Sequence, residues 1–301
     1  MLVVIALGGN ALLRRGEPLD VETQRRNVGV AAAAVAAIAA DHAVVVTHGN
    51  GPQVGLLALQ ALAYRNVPAY PLDVLGAESE GMIGYMIEQE LRNALPGREV
   101  ATLLTMAEVS ASDSAFGTPT KPIGPLYAAE EAARIGPARG WRFQPDRGGV
   151  RRVVPSPDPV RILEIDSIRA LVRHGVVTIC AGGGGIPVVD RGDGGIAGVE
   201  VVIDKDLSAA LLAKELSADR LLMLTDVSAV YAGWGGADAR PLHVASPETL
   251  RAMDFESGTM APKVEAACRF VGSTGGEAGI GALADAAAIL AGGAGTVIRR
   301  R

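Results

Sequence analysis

The sequence predicts an α/β fold in which helices cover both faces of a mostly parallel sheet. Short apolar runs rich in Val and Ile alternate along the chain with longer stretches whose Ala and Leu recur at helical spacing. Most residues in the short runs are apolar, without strict alternation, which is typical of strands buried on both faces of a parallel sheet. Several of these runs end in glycine-rich turns, and ligands of open α/β sheets bind at such strand ends.

Six apolar runs are predicted to be strands: residues 2–7, 43–47, 99–105, 176–180, 220–225 and 295–298. Eight stretches are predicted to be helices: residues 23–40, 52–63, 78–94, 162–174, 205–216, 247–253, 262–272 and 283–290. The glycine-rich residues 272–281 are predicted to be a loop before the last helix and strand. Residues 112–153 are rich in Pro and Gly and lack clear periodicity, so we expect a lid or a small subdomain there.

Three predicted strands end in glycine turns, at residues 8–10, 49–51 and 181–185. Glycine lets backbone N–H groups approach a phosphate closely, and helix N-termini favour anions. A single Gly-Gly-Asn is also compatible with an ordinary turn. Glycine turns at successive strand ends instead favour one crowded anion site.

Composition excludes several classes of protein. The 301 residues are 49% hydrophobic and 20% charged, which excludes a disordered chain, and the net charge of −5 gives no basic footprint for nucleic acid. The longest apolar run, residues 28–40, is too short to span a membrane. Only Cys180 and Cys268 occur, so a disulfide framework is excluded and a cytoplasmic location is expected.

Common nucleotide and catalytic motifs are also missing. No lysine completes a Walker A motif, and the G-x-G-x-x-A spacings at residues 192–197 and 279–284 lack the strand–helix context of a dinucleotide site. The four histidines are scattered, so zinc spacing is absent, and no G-x-S-x-G elbow occurs. The remaining interpretation is a phosphate site without a P-loop.

Lysine is scarce in this chain, and its positions are informative. Only four of the 28 basic residues are Lys, at positions 121, 205, 214 and 263, although codon usage and chance would also explain this. Lys205 stands between Asp204 and Asp206, either of which could simply cap a helix. Lys263 is predicted in the first turn of a helix, where the macrodipole disfavours a cation unless an anion is near. Lys214 lies within a helical stretch, so it is the lysine of the four that we expect to have no role in the site.

Six segments in this order resemble the carbamate kinases of the amino acid kinase superfamily: residues 6–12, 47–55, 119–125, 182–187, 198–206 and 260–264. Many superfamily relatives have a lysine before the first glycine pair. This chain has Ala6 and Leu7 before Gly8 and Gly9, which is similar to carbamate kinases rather than to acetylglutamate or uridylate kinases.

The resemblance implies a single domain over residues 1–301, an open three-layer α/β/α sandwich with about eight strands. The half formed by residues 1–197 would bind carbamate, residues 112–153 would form a protruding lid, and residues 198–301 would bind the nucleotide. The activity implied is reversible phosphoryl transfer between ATP and carbamate with Mg²⁺, in a homodimer whose usual setting is arginine catabolism. Neither nucleic acid nor a membrane is an expected partner.

The resemblance also implies roles for particular residues. Four would be catalytic: Lys121, Lys205, Asp206 and Lys263. Six would cradle carbamate and the phosphoryl group: Gly8, Gly9, Asn10, Gly49, Asn50 and Gly51. Seven would lie near the nucleotide: Asp204, Thr225, Asp226, Val227, Tyr231, Met260 and Pro262. Mg²⁺ would be held mainly by nucleotide phosphates, with no side-chain ligand assigned. The chain departs from the family pattern at Ala261, where glycine is usual, and after Tyr231, where an Asn-rich loop is usual.

Two alternatives remain at this point. A sister kinase with a larger acceptor would need more polar side chains over residues 49–55, where only Gln53 is polar besides the turn itself. A non-catalytic nucleotide sensor on the same fold should have lost a lysine of the centre, and Lys121, Lys205 and Lys263 are all present. No general base is expected because carbamate is already an anion, and phosphoryl transfer depends on positioning and positive charge.

Overall fold

Strands and helices alternate along the chain in the computed structural model, which describes residues 1–14, 16–64, 66–146, 148–236, 238–255 and 260–300, apart from the side chain of Asn10. The strands are β1 Leu2–Leu7, β2 Ala43–His48, β3 Val100–Thr102, β4 Met106–Val109, β5 Lys121–Tyr127, β6 Arg142–Asp146, β7 Gly149–Val154, β8 Pro159–Ile162, β9 Val177–Ile179, β10 Ile186–Asp190, β11 Ile196–Gly198, β12 Arg220–Thr225, β13 Val230–Ala232, β14 Arg240–Leu242, β15 Val244–Ala245, β16 Glu277–Ala282 and β17 Thr296–Ile298. The helices are α1 Gly9–Leu12, α2 Val21–Ala39, α3 Gly51–Ala63, α4 Leu72–Ala94, α5 Ala129–Arg139, α6 Ile165–Arg173, α7 Lys205–Glu215, α8 Pro247–Arg251, α9 Met260–Thr274 and α10 Ala286–Leu290.

One eight-stranded sheet, in the order β15-β17-β16-β12-β1-β2-β9-β3, forms the centre of the fold. All neighbouring strands in it are parallel except β16 and β17. Every residue of β1 from Val3 to Leu7 is buried, and successive side chains enter different apolar clusters. This alternation is the two-residue period of a strand with a core on each face. The predicted mainly parallel α/β/α fold is confirmed.

Helices cover each face of the sheet through their apolar sides. One core joins the sheet to α2, α4 and α10 through residues such as Val28, Ile83 and Ile289. The other joins it to α6, α7 and α9 through residues such as Leu212 and Phe270. Because α7 and α9 pack on the same face, their first turns lie near each other at the edge where β1, β2 and β12 end.

The prediction of a loop over residues 272–281 is wrong, because β16 occupies much of it as an inner strand between β12 and β17. The glycines of β16 are required by close packing rather than by a turn. A Cβ on Gly279 would lie 2.6 Å from Ile289 Cγ2 and 2.9 Å from Leu222 Cδ2. The helix predicted over residues 162–174 begins later, at Ile165, because residues up to Ile162 pair with β4 as β8.

The aperiodic residues 112–153 contain a separate small unit. Strands β5, β7 and β6 form a three-stranded antiparallel sheet, with α5 between β5 and β6 in the chain. Trp141 and Phe143 form an aromatic cluster with Tyr127, and the Arg152 guanidinium carbon lies 4.1 Å from the Trp141 ring centroid. A small unit with its own aromatic packing explains why no single period runs through this segment.

Among the helices that the structure describes, none combines the length and the hydropathy that a membrane span requires.

Candidate active site

The three glycine turns meet at the carboxyl ends of β1, β2 and β9. A Cβ on Gly49 would lie 3.2 Å from the nitrogen of Gly9, so these two turns touch. A Cβ on Gly183, whose φ is +68°, would lie 2.2 Å from Asn50 Nδ2. The structure therefore brings the turns into one group, and only glycine permits this approach.

Backbone donors at this edge lack side-chain caps. Helix α3 begins at Gly51, directly after Asn50, and the Asn50 side chain does not cap it. The uncapped N–H groups and the helix dipole make the start of α3 favourable for an anion. Lys205 lies beside this turn, because its Cδ would be 3.3 Å from a Cβ on Gly49.

Asp206 holds two lysines of the predicted centre. Lys205 Nζ donates to Asp206 Oδ1 over 2.9 Å, and Lys263 Nζ donates to Asp206 Oδ2 over 3.1 Å. Asp206 and Lys263 are buried, with 3% and 4% of their surfaces exposed. One carboxylate thus joins the first turns of α7 and α9. Both lysines are set at the edge where the glycine turns meet.

Asp204 connects the small antiparallel sheet to α7. Its Oδ1 accepts hydrogen bonds from the backbone N–H groups of Asp206 and Leu207, at 2.9 and 3.4 Å, so Asp204 is the residue that caps α7. Its Oδ2 accepts from Lys121 Nζ over 2.6 Å. Lys121 is the first residue of β5, and this bond brings it to the other two lysines. Both oxygens of Asp204 are engaged by the protein, so a nucleotide contact would share an oxygen with these donors.

The charges at this edge favour an anionic ligand. The ion-pair network formed by the three ammonium groups with the carboxylates of Asp204 and Asp206 carries one positive charge in excess. Burial lowers the pKa of Lys205, but the neighbouring carboxylates outweigh it and hold that pKa above its ordinary value. Burial and repulsion from Lys205 instead lower the pKa of Lys263. A further anion beside Lys263 would oppose both effects.

Residues predicted near the nucleotide lie around the end of β12 and the start of α9. Thr225 ends β12, and its Oγ1 donates to Asp226 Oδ1 over 3.0 Å, with Val227 following in the chain. The Tyr231 hydroxyl lies 2.8 Å from Ser228 Oγ, and its ring packs edge-on against exposed Trp234 at 5.1 Å. Met260, Ala261 and Pro262 open α9 just before Lys263. The preceding residues 257–259 of this motif lie outside the described residues.

Sequence reasoning missed a buried polar cluster under the glycine turns. Glu80 on α4 is 1% exposed, and the two oxygens of its carboxyl group accept hydrogen bonds from the N–H groups of Gly182, at 2.8 Å, and Thr105, at 3.3 Å. His48 is fully buried, and its Nε2 has no hydrogen-bond partner within the described part of the chain. A charged residue three positions before Ile83 and seven before Ile87, on the apolar stripe of α4, is the signal that could have found Glu80.

Burial shifts the pKa values of this cluster in opposite senses. Burial raises the pKa of Glu80 to about 8, aided by the charge of Glu164 and opposed by the two backbone N–H donors. Burial lowers the pKa of His48 to about 4. At neutral pH the folded protein therefore keeps Glu80 protonated and His48 neutral.

The free energy of unfolding is expected to fall as pH rises from 6.5 to 8, in part through Glu80. In that range folded Glu80 binds a proton that the unfolded chain, with an ordinary carboxyl pKa near 4.5, has lost. His48 opposes this fall only in the lower part of the range, because the unfolded imidazole, with its ordinary pKa of 6.5, still binds some proton there and the folded one does not. Urea unfolding at several pH values should show a smaller fall in Glu80→Gln. Glu78→Gln, which changes an exposed carboxylate on the same helix, is the control. An equal fall in wild type and Glu80→Gln would contradict the assignment.

Comparisons with known proteins identify one family and several relatives over nearly the whole chain. The model of the amino acid kinase family matches residues 1–280. The chain is 55% identical to a carbamate kinase of Rhizobium meliloti over 99% of this chain and 93% of the relative. It is 50% identical to a carbamate kinase of Escherichia coli over 98% of both chains. Its structure is similar to that of the carbamate kinase from Giardia lamblia bound to AMP-PNP, with a TM-score of 0.93, 41% identity and coverage of 100% and 98%.

Proposed function

The chain belongs to the amino acid kinase family, in its carbamate kinase branch, and from this premise we propose how its residues transfer a phosphoryl group reversibly between ATP and carbamate. The observation that carries the proposal is the meeting of Lys121, Lys205 and Lys263 on two aspartates beside the glycine turns. In the transition state, the phosphoryl group is loosely bonded to both partners and spreads negative charge over its oxygens. Positioned positive charge is therefore the main catalytic requirement, and these lysines supply it.

In the proposed mechanism, Lys205 and Lys263 neutralise the transferring group and the nucleotide phosphates, while Asp206 keeps both ammonium groups in place. Lys121 leaves Asp204 for the phosphoryl group when substrate arrives. The N–H groups of the glycine turns and of the first turn of α3 hold carbamate and the phosphoryl oxygens. Carbamate attacks as an anion through its carboxylate oxygen, so no side chain has to remove a proton.

The order of the strands in the sheet supports the proposal that each half of the chain binds one of the two substrates. Strands from the first 180 residues, β1, β2, β9 and β3, lie on one side, and β12, β16, β17 and β15 lie on the other. The glycine turns, which would hold the phosphoryl acceptor carbamate, follow β1, β2 and β9. The residues Asp226, Val227 and Tyr231 instead follow β12. We therefore assign carbamate to residues 1–197 and the nucleotide to residues 198–301. The small sheet within residues 112–153 supplies Lys121.

Mg²⁺ fits this site as an ion carried by the nucleotide. No group of three or more His, Cys, Asp and Glu side chains able to hold a metal occurs among the described residues. The Asp204 and Asp206 carboxylates are occupied by lysines and backbone donors. Mg²⁺ commonly keeps several waters and binds substrate phosphates with few protein ligands. When bound, it would neutralise phosphate charge, and we assign no side chain to it.

A homodimer in the cytoplasm is the proposed form of the enzyme. Many large apolar side chains of residues 56–85 are exposed, among them Tyr64, Val67, Tyr70 and Tyr85, each more than half exposed. Large apolar side chains left exposed along one stretch of the chain favour a subunit interface there. Both cysteines are free and buried, which suits a reducing compartment. Arginine catabolism is the proposed setting.

ATP formation from ADP and carbamoyl phosphate with Mg²⁺, read by luciferase, tests the proposed function. We expect turnover that chelation by EDTA abolishes and that excess Mg²⁺ restores. The same preparation is then offered ATP with N-acetylglutamate or with UMP. Turnover of one of these acceptors, with none of carbamoyl phosphate, would overturn the proposal in favour of a sister kinase.

A further inference from the structure

Asn50 precedes α3 but uses its side chain elsewhere. Asn at a helix N-cap commonly accepts a hydrogen bond from an N–H in the first turn, yet Asn50 makes no such bond. Its Nδ2 instead donates to Ser79 Oγ, on α4, over 2.8 Å. Both residues are buried, Ser79 completely. A fully buried hydroxyl on another helix therefore holds the side chain of the turn.

The hydroxyl of Ser79 also decides which end of the Asn50 amide faces it. Ser79 Oγ donates its single hydrogen to the carbonyl oxygen of Gly76, 2.9 Å away, so only its lone pairs remain for Asn50. An accepting oxygen must meet the amide nitrogen rather than the amide oxygen. Asn50 Nδ2 is therefore turned toward Ser79, and Oδ1 is turned away from it.

The glycine turn at residues 49–51 thus presents the side-chain carbonyl oxygen of Asn50, Oδ1, in a known orientation. Asn50 Oδ1 receives no hydrogen bond from the residues that the structure describes. Gly183 packs against the amide group and holds it, since a Cβ there would lie 2.2 Å from Nδ2 and 2.6 Å from Oδ1. On one side Asn50 is followed by the uncapped start of α3, and on the other Gly49 adjoins Lys205. An N–H donor on the bound substrate is the natural partner of Oδ1.

We infer that Ser79 is a specificity-determining positioning residue, which orients the Asn50 amide so that Oδ1 accepts a hydrogen bond from the amino group of carbamate or carbamoyl phosphate. The inference rests on the proposed function and deepens it. Acetate and acetyl phosphate have the same shape with a methyl group in place of the amino group, so they cannot donate to Oδ1. A site built to pair with an N–H disfavours an analogue that lacks it, because its own polar atom is left unpaired.

The test compares carbamoyl phosphate with acetyl phosphate as phosphoryl donors to ADP. In Ser79→Ala, the ratio of kcat/KM for carbamoyl phosphate to that for acetyl phosphate is expected to fall about tenfold, the size of one hydrogen bond. The KM for ADP should not change, because the nucleotide lies on the other side of the site. Ser79→Cys keeps the shape but bonds weakly, so it should also lose discrimination and stands in if the alanine variant does not fold.

Two controls separate orientation from general damage to the fold. Ser79→Thr keeps a hydroxyl able to bond the preceding turn of α4 and should retain the ratio. Ser208→Ala removes another fully buried helical hydroxyl, one without a hydrogen-bond partner in the described part of the chain, and should leave the ratio unchanged. A wild type without carbamoyl phosphate turnover overturns the proposed function itself. An active wild type whose ratio survives in Ser79→Ala and Ser79→Cys overturns only the inference about Ser79.

Discussion

Replacing Lys263 by alanine is expected to lower kcat by about 10²-fold or more, because one positioned charge at the transition state is lost. Lys263 is buried at the first turn of α9 and held by Asp206, so its ammonium group has a defined position when phosphate arrives. Single-turnover ATP formation with saturating substrates measures the chemical step directly. Arginine at this position should not restore activity, because its wide planar fork does not fit a place built for a compact ammonium group.

The control for Lys263→Ala is Lys214→Ala, which removes an exposed lysine on α7 and should leave kcat unchanged. Circular dichroism and thermal unfolding show whether each variant is folded. A folded Lys263→Ala protein with wild-type kcat would remove this lysine from the phosphoryl-transfer centre.

Replacing Asp206 by alanine is expected to destabilise the ligand-free protein by about 3–5 kcal/mol, because it leaves buried charges unpaired. Lys205 and Lys263 both donate to this one carboxylate, and without it their ammonium groups repel each other. Urea unfolding of the ligand-free protein measures the loss. Inorganic pyrophosphate should recover part of it, since its negative charge replaces that of the carboxylate.

Asp226→Ala serves as the comparison for Asp206→Ala, because Asp226 is an exposed aspartate at the same edge of the sheet. We expect its effect on the free energy of unfolding to be much smaller. An Asp206→Ala protein as stable as wild type, with or without pyrophosphate, would contradict the view that Asp206 holds the two lysines together.

Much of the fold could be predicted because its strands carry their signal locally. Strand β1 is apolar at every position, and the predicted bounds of β1 and β12 match the structure. Strand β16 was missed because its sequence, with Gly279 and Gly281, resembles a loop. The cause is tertiary: α10 packs so closely on the strand that a side chain at Gly279 would meet Ile289. Local propensity carries no information about that contact.

The candidate site, like the fold, could be predicted from the sequence only in part. The scarcity of lysine pointed to Lys121, Lys205 and Lys263, and the structure places all three on Asp204 or Asp206. The sequence left open which aspartate caps α7, and backbone geometry assigns the cap to Asp204. Ser79 and Glu80 were not predicted, because their importance depends on Asn50 and Gly182, which are distant in sequence. Hydrogen bonds between segments that are distant along the chain produce no periodic pattern in the amino-acid sequence.

The most direct test of the central claim is the rate of ATP formation from ADP and carbamoyl phosphate by Lys205→Ala beside Lys214→Ala. Both lysines lie on α7, but only Lys205 is held at the glycine turns by Asp206. We expect a fall of about 10²–10³-fold in kcat for Lys205→Ala and a wild-type rate for Lys214→Ala. Equal rates in the two folded variants would contradict the claim that the lysines at this edge of the sheet transfer the phosphoryl group.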